Sequence, residues 1–248
     1  MNDGAGVLSL ERLFNIRDLG GFATADGRFV RRGLLYRAGE LSSPSQADRA
    51  ALEKLALAAV VDFRSGEEAA KNPDCAIGTV KLEAKLPIDA GNMLALSRNG
   101  GDVPGERLME ALYRCLAEDT REQYREFFAI LADGRNAPLL FHCSAGKDRT
   151  GFAAALLLSA LGAGREDVYR DYLFSAVCLE GKYQDLIDAD PGLRPFMTVK
   201  RSYLDAAFDS IAGKFGGIGR YLKEELGADT GRLRELYTAQ GFPAPSPA

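Results

Sequence analysis

The chain has 248 residues, 46% of them hydrophobic and 27% charged, which is the balance of an ordinary folded domain and excludes a disordered or fibrous protein. A formal net charge of −4 argues against a dedicated nucleic-acid binder, and a single histidine, His142, excludes a two-histidine zinc site. Four dispersed cysteines without a C-x-x-C pair fit a reducing compartment, and no stretch approaches the roughly 18 apolar residues of a membrane span. The first residues lack the basic and apolar regions of a signal peptide, so a cytoplasmic protein is expected.

In chain order, Asp26-Gly27 between two short β-patterned runs predicts a hairpin leading into a strand at Leu34–Arg37. Ser43, followed by Pro44 and then Gln46, has the pattern of a capping box that opens a helix to about Leu57. Ala58–Phe63 is an apolar run broken only by Asp62, as a buried parallel strand would be, and Val80–Pro87 is a second strand candidate. Asp89–Gly105, rich in glycine and asparagine, is expected to be a long mobile loop. Glu106–Ala132 reads as helix interrupted near Asp119-Thr120, with Thr120 and Gln123 capping the second part. Its stripe of Leu108, Met109, Leu112, Tyr113 and Leu116 suits a core helix, and its place beside the loop leaves a helical lid open.

Leu139–Phe141 is a short buried strand. From Arg149 to Gln240 the pattern is helical, broken at Gly162–Gly164, Pro191, Gly216-Gly217 and Gly227. The terminal PAPSPA, 243–248, reads as a disordered tail. Strands alternating with helices and then a run of helices predict an α/β fold: one domain over 1–242, with a central, mostly parallel sheet flanked by helices and an extended helical C-terminal half.

Chemistry concentrates in His142-Cys143-Ser144-Ala145-Gly146-Lys147-Asp148-Arg149-Thr150-Gly151. A strand, a loop of small residues and a helix N-terminus make an anion cradle, because backbone N–H groups converge there and the helix dipole adds positive potential. The loop Ser144–Arg149 is therefore the candidate phosphate site, with Arg149 supplying a planar fork for two oxygens. Cys143 stands at its mouth, where the same field favours a thiolate placed for in-line attack on a phosphoryl group. Thr150 is positioned to donate to that sulfur, and His142 to orient the loop.

This loop resembles the H-C-x5-R-[S/T]-G signature of the cysteine-dependent protein tyrosine phosphatase superfamily, matched in full. Lys147 at its place is similar to phosphoinositide 3-phosphatases of the dual-specificity type, and Asp148 beside the arginine to myotubularins. The combined GKDRTG resembles atypical bacterial tyrosine phosphatases, some of which also accept phosphoserine, phosphothreonine and phosphoinositides. Asn15–Gly21, Leu35–Ser42, Val61–Ser65, Asp171–Leu173 and the helices from Tyr203 to Leu236 are similar to that family's blocks as well, so the resemblance covers most of the chain.

The resemblance implies a tyrosine phosphatase-like fold and a phosphatase acting through a phosphocysteine. No metal or cofactor is implied; the partners are a phosphorylated protein or phosphoinositide substrate, and inorganic phosphate is the product. It also implies an acid for the leaving group, with Asp89 as the candidate at the end of a strand. Asp89 lies 54 residues before Cys143, further than in compact dual-specificity enzymes, which keeps Asp102 and Asp148 as alternatives.

Other readings compete with these. A rhodanese-like sulfurtransferase also carries a cysteine on an anion loop, but typically encloses four residues where Cys143 and Arg149 enclose five, and a silent phosphate-binding module usually loses one of the two. Lys147 is either a solvated lysine or a sensor of substrate charge. Arg17, Arg37 and Arg64 suit clamps on carboxylates such as Asp18, Glu40 and Asp62, with one of the three open to a second phosphate. Cys75, Cys115 and Cys178 read as small buried hydrophobes.

Overall fold

The computed structural model describes residues 6–89 and 103–241. Most of the expected loop, Asp102 with it, and the expected tail lie outside the described residues. The strands are β1 (Gly6–Val7), β2 (Arg17–Asp18), β3 (Phe29–Val30), β4 (Leu35–Ala38), β5 (Ala59–Asp62), β6 (Leu82–Lys85), β7 (Leu139–His142) and β8 (Thr238–Ala239). Six of them form one sheet in the order β1-β2-β4-β7-β5-β6. The β4-β7-β5-β6 portion is parallel, and β2 and β1 add to it antiparallel.

Alternation along the strands divides the core between two faces. Leu35, Ala59, Val61, Leu139 and Phe141 point to one side and Tyr36, Ala38, Val60 and Leu140 to the other. The second side is covered by helix α1 (Gln46–Lys54) through Leu52 and by Leu13, Ile16 and Ile77. A short helix, α2 (Gly66–Lys71), follows β5. The first side takes α3 (Gly105–Glu118), α4 (Arg121–Ala132) and α5 (Arg149–Leu161), the last of these buried along almost its whole length. Further helices, among them α6 (Arg165–Cys178), α7 (Gln184–Ala189), α8 (Arg194–Met197), α9 (Arg201–Phe215) and α10 (Thr230–Tyr237), make up the helical C-terminal half. No described helix is long and apolar enough to cross a membrane.

Most predicted elements are present, with local corrections. Helix α1 is capped by Ser45, not Ser43: Ser45 Oγ accepts from the Asp48 amide at 3.1 Å and the Asp48 carboxylate accepts from the Ser45 amide at 3.1 Å. That carboxylate also accepts from the Glu11 and Arg12 amides at 2.7 and 3.0 Å, tertiary bonds that fix the cap two residues later. The helix break near Asp119 is real, but Thr120 makes no cap; its hydroxyl turns back to donate to the Leu116 carbonyl at 2.8 Å. Of the two readings of the α3 stripe, core packing holds: Met109, Leu112, Tyr113 and Leu116 are buried and α3 lies along α9. Strand β8 was hidden in a helical pattern because its partner is β3, some two hundred residues earlier.

The cap assignment has a measurable consequence. Ser45→Ala should lower stability by about 1 kcal/mol in urea denaturation, whereas Ser43→Ala should change it by less than about 0.5 kcal/mol. Equal losses at the two serines would contradict it.

Candidate active site

The loop leaves the sheet at the C-terminal end of β7, between β4 and β5, and runs into the first turn of α5. At Gly146 the chain takes φ +67, and an added Cβ would come within 2.3 Å of the Ala38 carbonyl oxygen, so only glycine fits there. The loop carbonyls are drawn outward. The Glu40 amide donates to Ser144 O at 3.0 Å, Asn15 Nδ2 to Ala145 O and Gly146 O at 3.0 and 2.9 Å, and Arg37 Nη2 to Gly146 O at 2.6 Å. In a trans peptide the N–H points opposite to the C=O, so anchoring these carbonyls turns the following amides toward the opposite side. That is the arrangement of a backbone anion site at a helix N-terminus.

The anchors are themselves fixed by a buried ion cluster. Asp171 on α6 accepts from Arg17 Nε at 2.8 Å and from Arg37 Nη1 at 2.5 Å, and all three side chains are at most 3% exposed. Ser175 Oγ accepts from both arginines, at 3.1 and 3.3 Å. Burial opposes the charge on Asp171, but the two guanidiniums prevail and hold its carboxyl below the usual range. Two cations against one anion leave positive charge beneath Cys143, which is itself buried with a free thiol.

None of the three arginines expected near the loop is available for a second phosphate. Arg64 binds Asp62 at 2.9 Å and Asp74 at 2.6 Å, with Glu40 at 3.8 Å. Asp18, expected as a clamp partner, instead accepts from the Gly20 and Gly33 amides at 2.8 and 2.7 Å. His142 is fully buried, with Nδ1 3.4 Å from Cys143 O and Nε2 3.2 Å from Asp74 Oδ2. Asp62, Asp74 and His142 gather in one place, and Arg64 forms ion pairs with both carboxylates, so the group is part of an ion-pair network.

Arg149 is oriented on two sides. Nη1 donates to Ile88 O at 3.1 Å, while Nη1 and Nη2 reach the Glu68 carboxylate at 2.6 and 2.7 Å. Ser144 Oγ donates to the same carboxylate at 2.5 Å. Burial works to raise the Glu68 pKa, but the guanidinium and the hydroxyl override it and hold it at about 2. Asp89, an exposed residue, directly follows the Ile88 whose carbonyl Arg149 grips.

Lys147, weighed as a solvated lysine or a charge sensor, is only 4% exposed and donates to Asp148 Oδ2 at 2.6 Å. Asp148 Oδ1 accepts from Tyr113 OH at 2.9 Å, and Tyr172 OH donates to Tyr113 OH at 2.7 Å. Both oxygens of Asp148 therefore face donors, one from the loop itself and one from α3. Thr150 does not meet its expectation: its hydroxyl is buried and makes no hydrogen bond to the Cys143 sulfur.

A model of the tyrosine phosphatase family matches residues 8–239. The chain belongs to that family. A protein of Cupriavidus necator named as a tyrosine-protein phosphatase is 38% identical over 94% of this chain and 88% of its own length. The triple specificity protein phosphatase PtpB of Mycobacterium tuberculosis is 29% identical, covering 88% of this chain and 93% of that one. A tyrosine-protein phosphatase of Nostoc commune is 28% identical over 83% of this chain and 73% of its own.

In this tyrosine phosphatase Cys143, Ser144 to Arg149, His142 and Asp89 lie at the C-terminal end of the parallel strands. Reasoning from the sequence missed Asn15, Glu68 and Asp74. Asn15 stood only within the Asn15–Gly21 block that resembles the family, and Glu68 left a local trace, the S-x-x-E capping box of α2, in which the Ser65 amide donates to Glu68 at 2.8 Å. The other cysteines are less buried than expected: Cys115 is exposed, and Cys75 and Cys178 are partly so.

A carboxyl held at about 2 in the fold contributes stability that is fully present above its ordinary value near 4.5 and is lost as pH falls toward 2. With more than a third of the Glu68 side chain exposed, solvent screening limits that contribution to about 1–2 kcal/mol. Glu68→Gln should therefore be less stable than wild type by this amount at pH 6, and the gap should close between pH about 4.5 and 2. Urea denaturation across that range checks it, and a gap that widens on acidification would contradict it.

Proposed function

We propose that this phosphatase hydrolyses phosphotyrosine through a phosphocysteine formed on Cys143. The observation that carries the reading is the loop itself. Three successive carbonyls are tied outward and Arg149 is gripped by Glu68, so that a tetrahedral dianion facing Cys143 meets inward amides and a fixed guanidinium. The Cys143 thiolate attacks phosphorus, the P–O bond to the tyrosine breaks, and Asp89 gives its proton to the leaving phenoxide. Water then cleaves the S–P bond with Asp89 accepting its proton, and inorganic phosphate leaves. The loop amides and Arg149 hold the equatorial oxygens throughout.

Asp89 is preferred to Asp148 as the acid because Asp148 is committed to Lys147 and Tyr113. His142, between Asp74 and the Cys143 carbonyl, supports the strand-to-loop turn without moving protons. Phosphoserine, phosphothreonine and phosphoinositides are secondary substrates, the mixed specificity that the GKDRTG loop suggested.

The protein should hydrolyse para-nitrophenyl phosphate without added metal. Cys143→Ser should abolish turnover while phosphate binding by calorimetry survives, and turnover persisting in Cys143→Ser would end the phosphocysteine reading. Asp89→Asn should lower kcat on phosphotyrosine by about 10²–10⁴ and remove the fall in activity as pH rises, because an acid works only while protonated. An unaltered pH profile in Asp89→Asn transfers that role to Asp148.

A further inference from the structure

The cations that the sequence offered for reading substrate charge are all committed: Arg17 and Arg37 to Asp171, Arg64 to Asp62 and Asp74, and Lys147 to Asp148. A different cation stands at the rim. Lys182 lies in the turn between α6 and α7, where the Lys182 amide donates to Leu179 O at 3.1 Å and the Gln184 amide to Gly181 O at 3.2 Å. Gly181, at φ +76, lets the chain double back. Lys182 Nζ sits 4.0 Å from the centroid of the Phe14 ring and 5.7 Å from that of Tyr183.

These rings belong to the mouth of the site. Phe14 is 38% exposed; its carbonyl accepts from the Gly39 amide at 3.0 Å, and the next residue is the Asn15 that anchors Ala145 and Gly146. Tyr183 is half-buried beside Lys182 in the same turn, and burial pushes its hydroxyl up. Among the described residues, no carboxylate lies within 4 Å of the Lys182 ammonium. Burial pushes its pKa down, with Glu40 as the more distant counter-charge.

An ammonium between two aromatic faces has lost part of its hydration, and ring contacts worth about 0.5–2 kcal/mol return only some of it. An anion arriving at the rim restores the remainder. One half-buried cation with Glu40 nearby suits a single negative charge better than the several phosphates of a polyphosphorylated headgroup, which would need more cations and would be repelled by that carboxylate. The two rings in turn suit a phenyl ring leading down to the loop.

We infer that Lys182, framed by Phe14 and Tyr183, recognises a carboxylate side chain flanking the phosphotyrosine of a peptide substrate. The inference rests on the phosphotyrosine reading above and adds its sequence preference. Lys182 is a specificity residue: it touches the substrate beside the reacting group and takes no part in phosphoryl transfer.

The test compares two phosphotyrosine peptides that differ only in having glutamate or glutamine on either side of the phosphotyrosine. Wild type should favour the glutamate peptide about tenfold in kcat/KM at low salt, and the preference should shrink as ionic strength rises. Lys182→Met and Lys182→Gln should each bring the ratio close to one, and Lys182→Arg should restore it. Because the readout is a ratio within one protein, a variant that is partly unfolded still reports it. A wild type without preference, or a preference that survives Lys182→Met, would overturn the inference. So would a Lys182→Met defect confined to bisphosphorylated phosphoinositide in vesicles. Hydrolysis of para-nitrophenyl phosphate but of neither peptide would instead refute the phosphotyrosine reading itself.

Discussion

The carboxylate of Asp171 lies at the bottom of the site, out of water, between the guanidiniums of Arg17 and Arg37. Any one of these charges alone would be prohibitively costly at such depth; together they compensate, and breaking a buried pair of this kind typically costs about 3–5 kcal/mol. Everything above depends on that compensation. Arg37 can reach the Gly146 carbonyl only because Asp171 holds its other nitrogen, and Arg17 bonds the Asn15 side chain that secures Ala145 and Gly146. The loop is thus shaped from beneath by β2, β4 and α6, and the residual positive charge of the cluster lies below the cysteine it presents. A second clamp, Glu68 on Arg149, fixes the guanidinium from the side of β5 and α2.

The two clamps divide the polar groups of the site by function. Lys147 and Asp148, the residues that make this loop distinctive in sequence, neutralise each other and are bridged through Tyr113 to Tyr172 in the helical layer. They connect the loop to α3 and α6 and leave the rim to Phe14, Lys182 and Tyr183. The proposed acid, Asp89, follows the Ile88 whose carbonyl accepts from Arg149.

Legibility in the sequence followed the range of the interaction. Strands β5 and β7 were readable because they are buried on both faces and appear as short, mostly apolar runs, and the loop was readable because its cysteine and arginine lie within ten consecutive residues. Ser45 was missed in favour of Ser43 because the deciding bonds come from the Asp48 carboxylate to Glu11 and Arg12, outside the local pattern. The arginines were correctly expected to clamp carboxylates, and Arg64 does take Asp62 and Glu40, but the partner of Arg17 and Arg37 was not among those expected. Asp171 lies 154 and 134 residues beyond Arg17 and Arg37, and no spacing rule in a single sequence connects them. Glu68 was hidden for the same reason, its contact with Arg149 being visible only once β5 and β7 are seen to be neighbours.

The most direct measurement is phosphate binding by Arg37→Met, followed by calorimetry on protein shown to be folded by its circular dichroism. Removing Arg37 leaves Asp171 neutralised by Arg17 and takes away the bond to the Gly146 carbonyl, so the loop loses its hold without leaving a bare buried charge. Phosphate affinity should fall at least about tenfold, or about 1.4 kcal/mol, with Cys143, Arg149 and Glu68 all intact. An unchanged affinity in folded Arg37→Met would show that the loop keeps its shape unaided and would contradict the account.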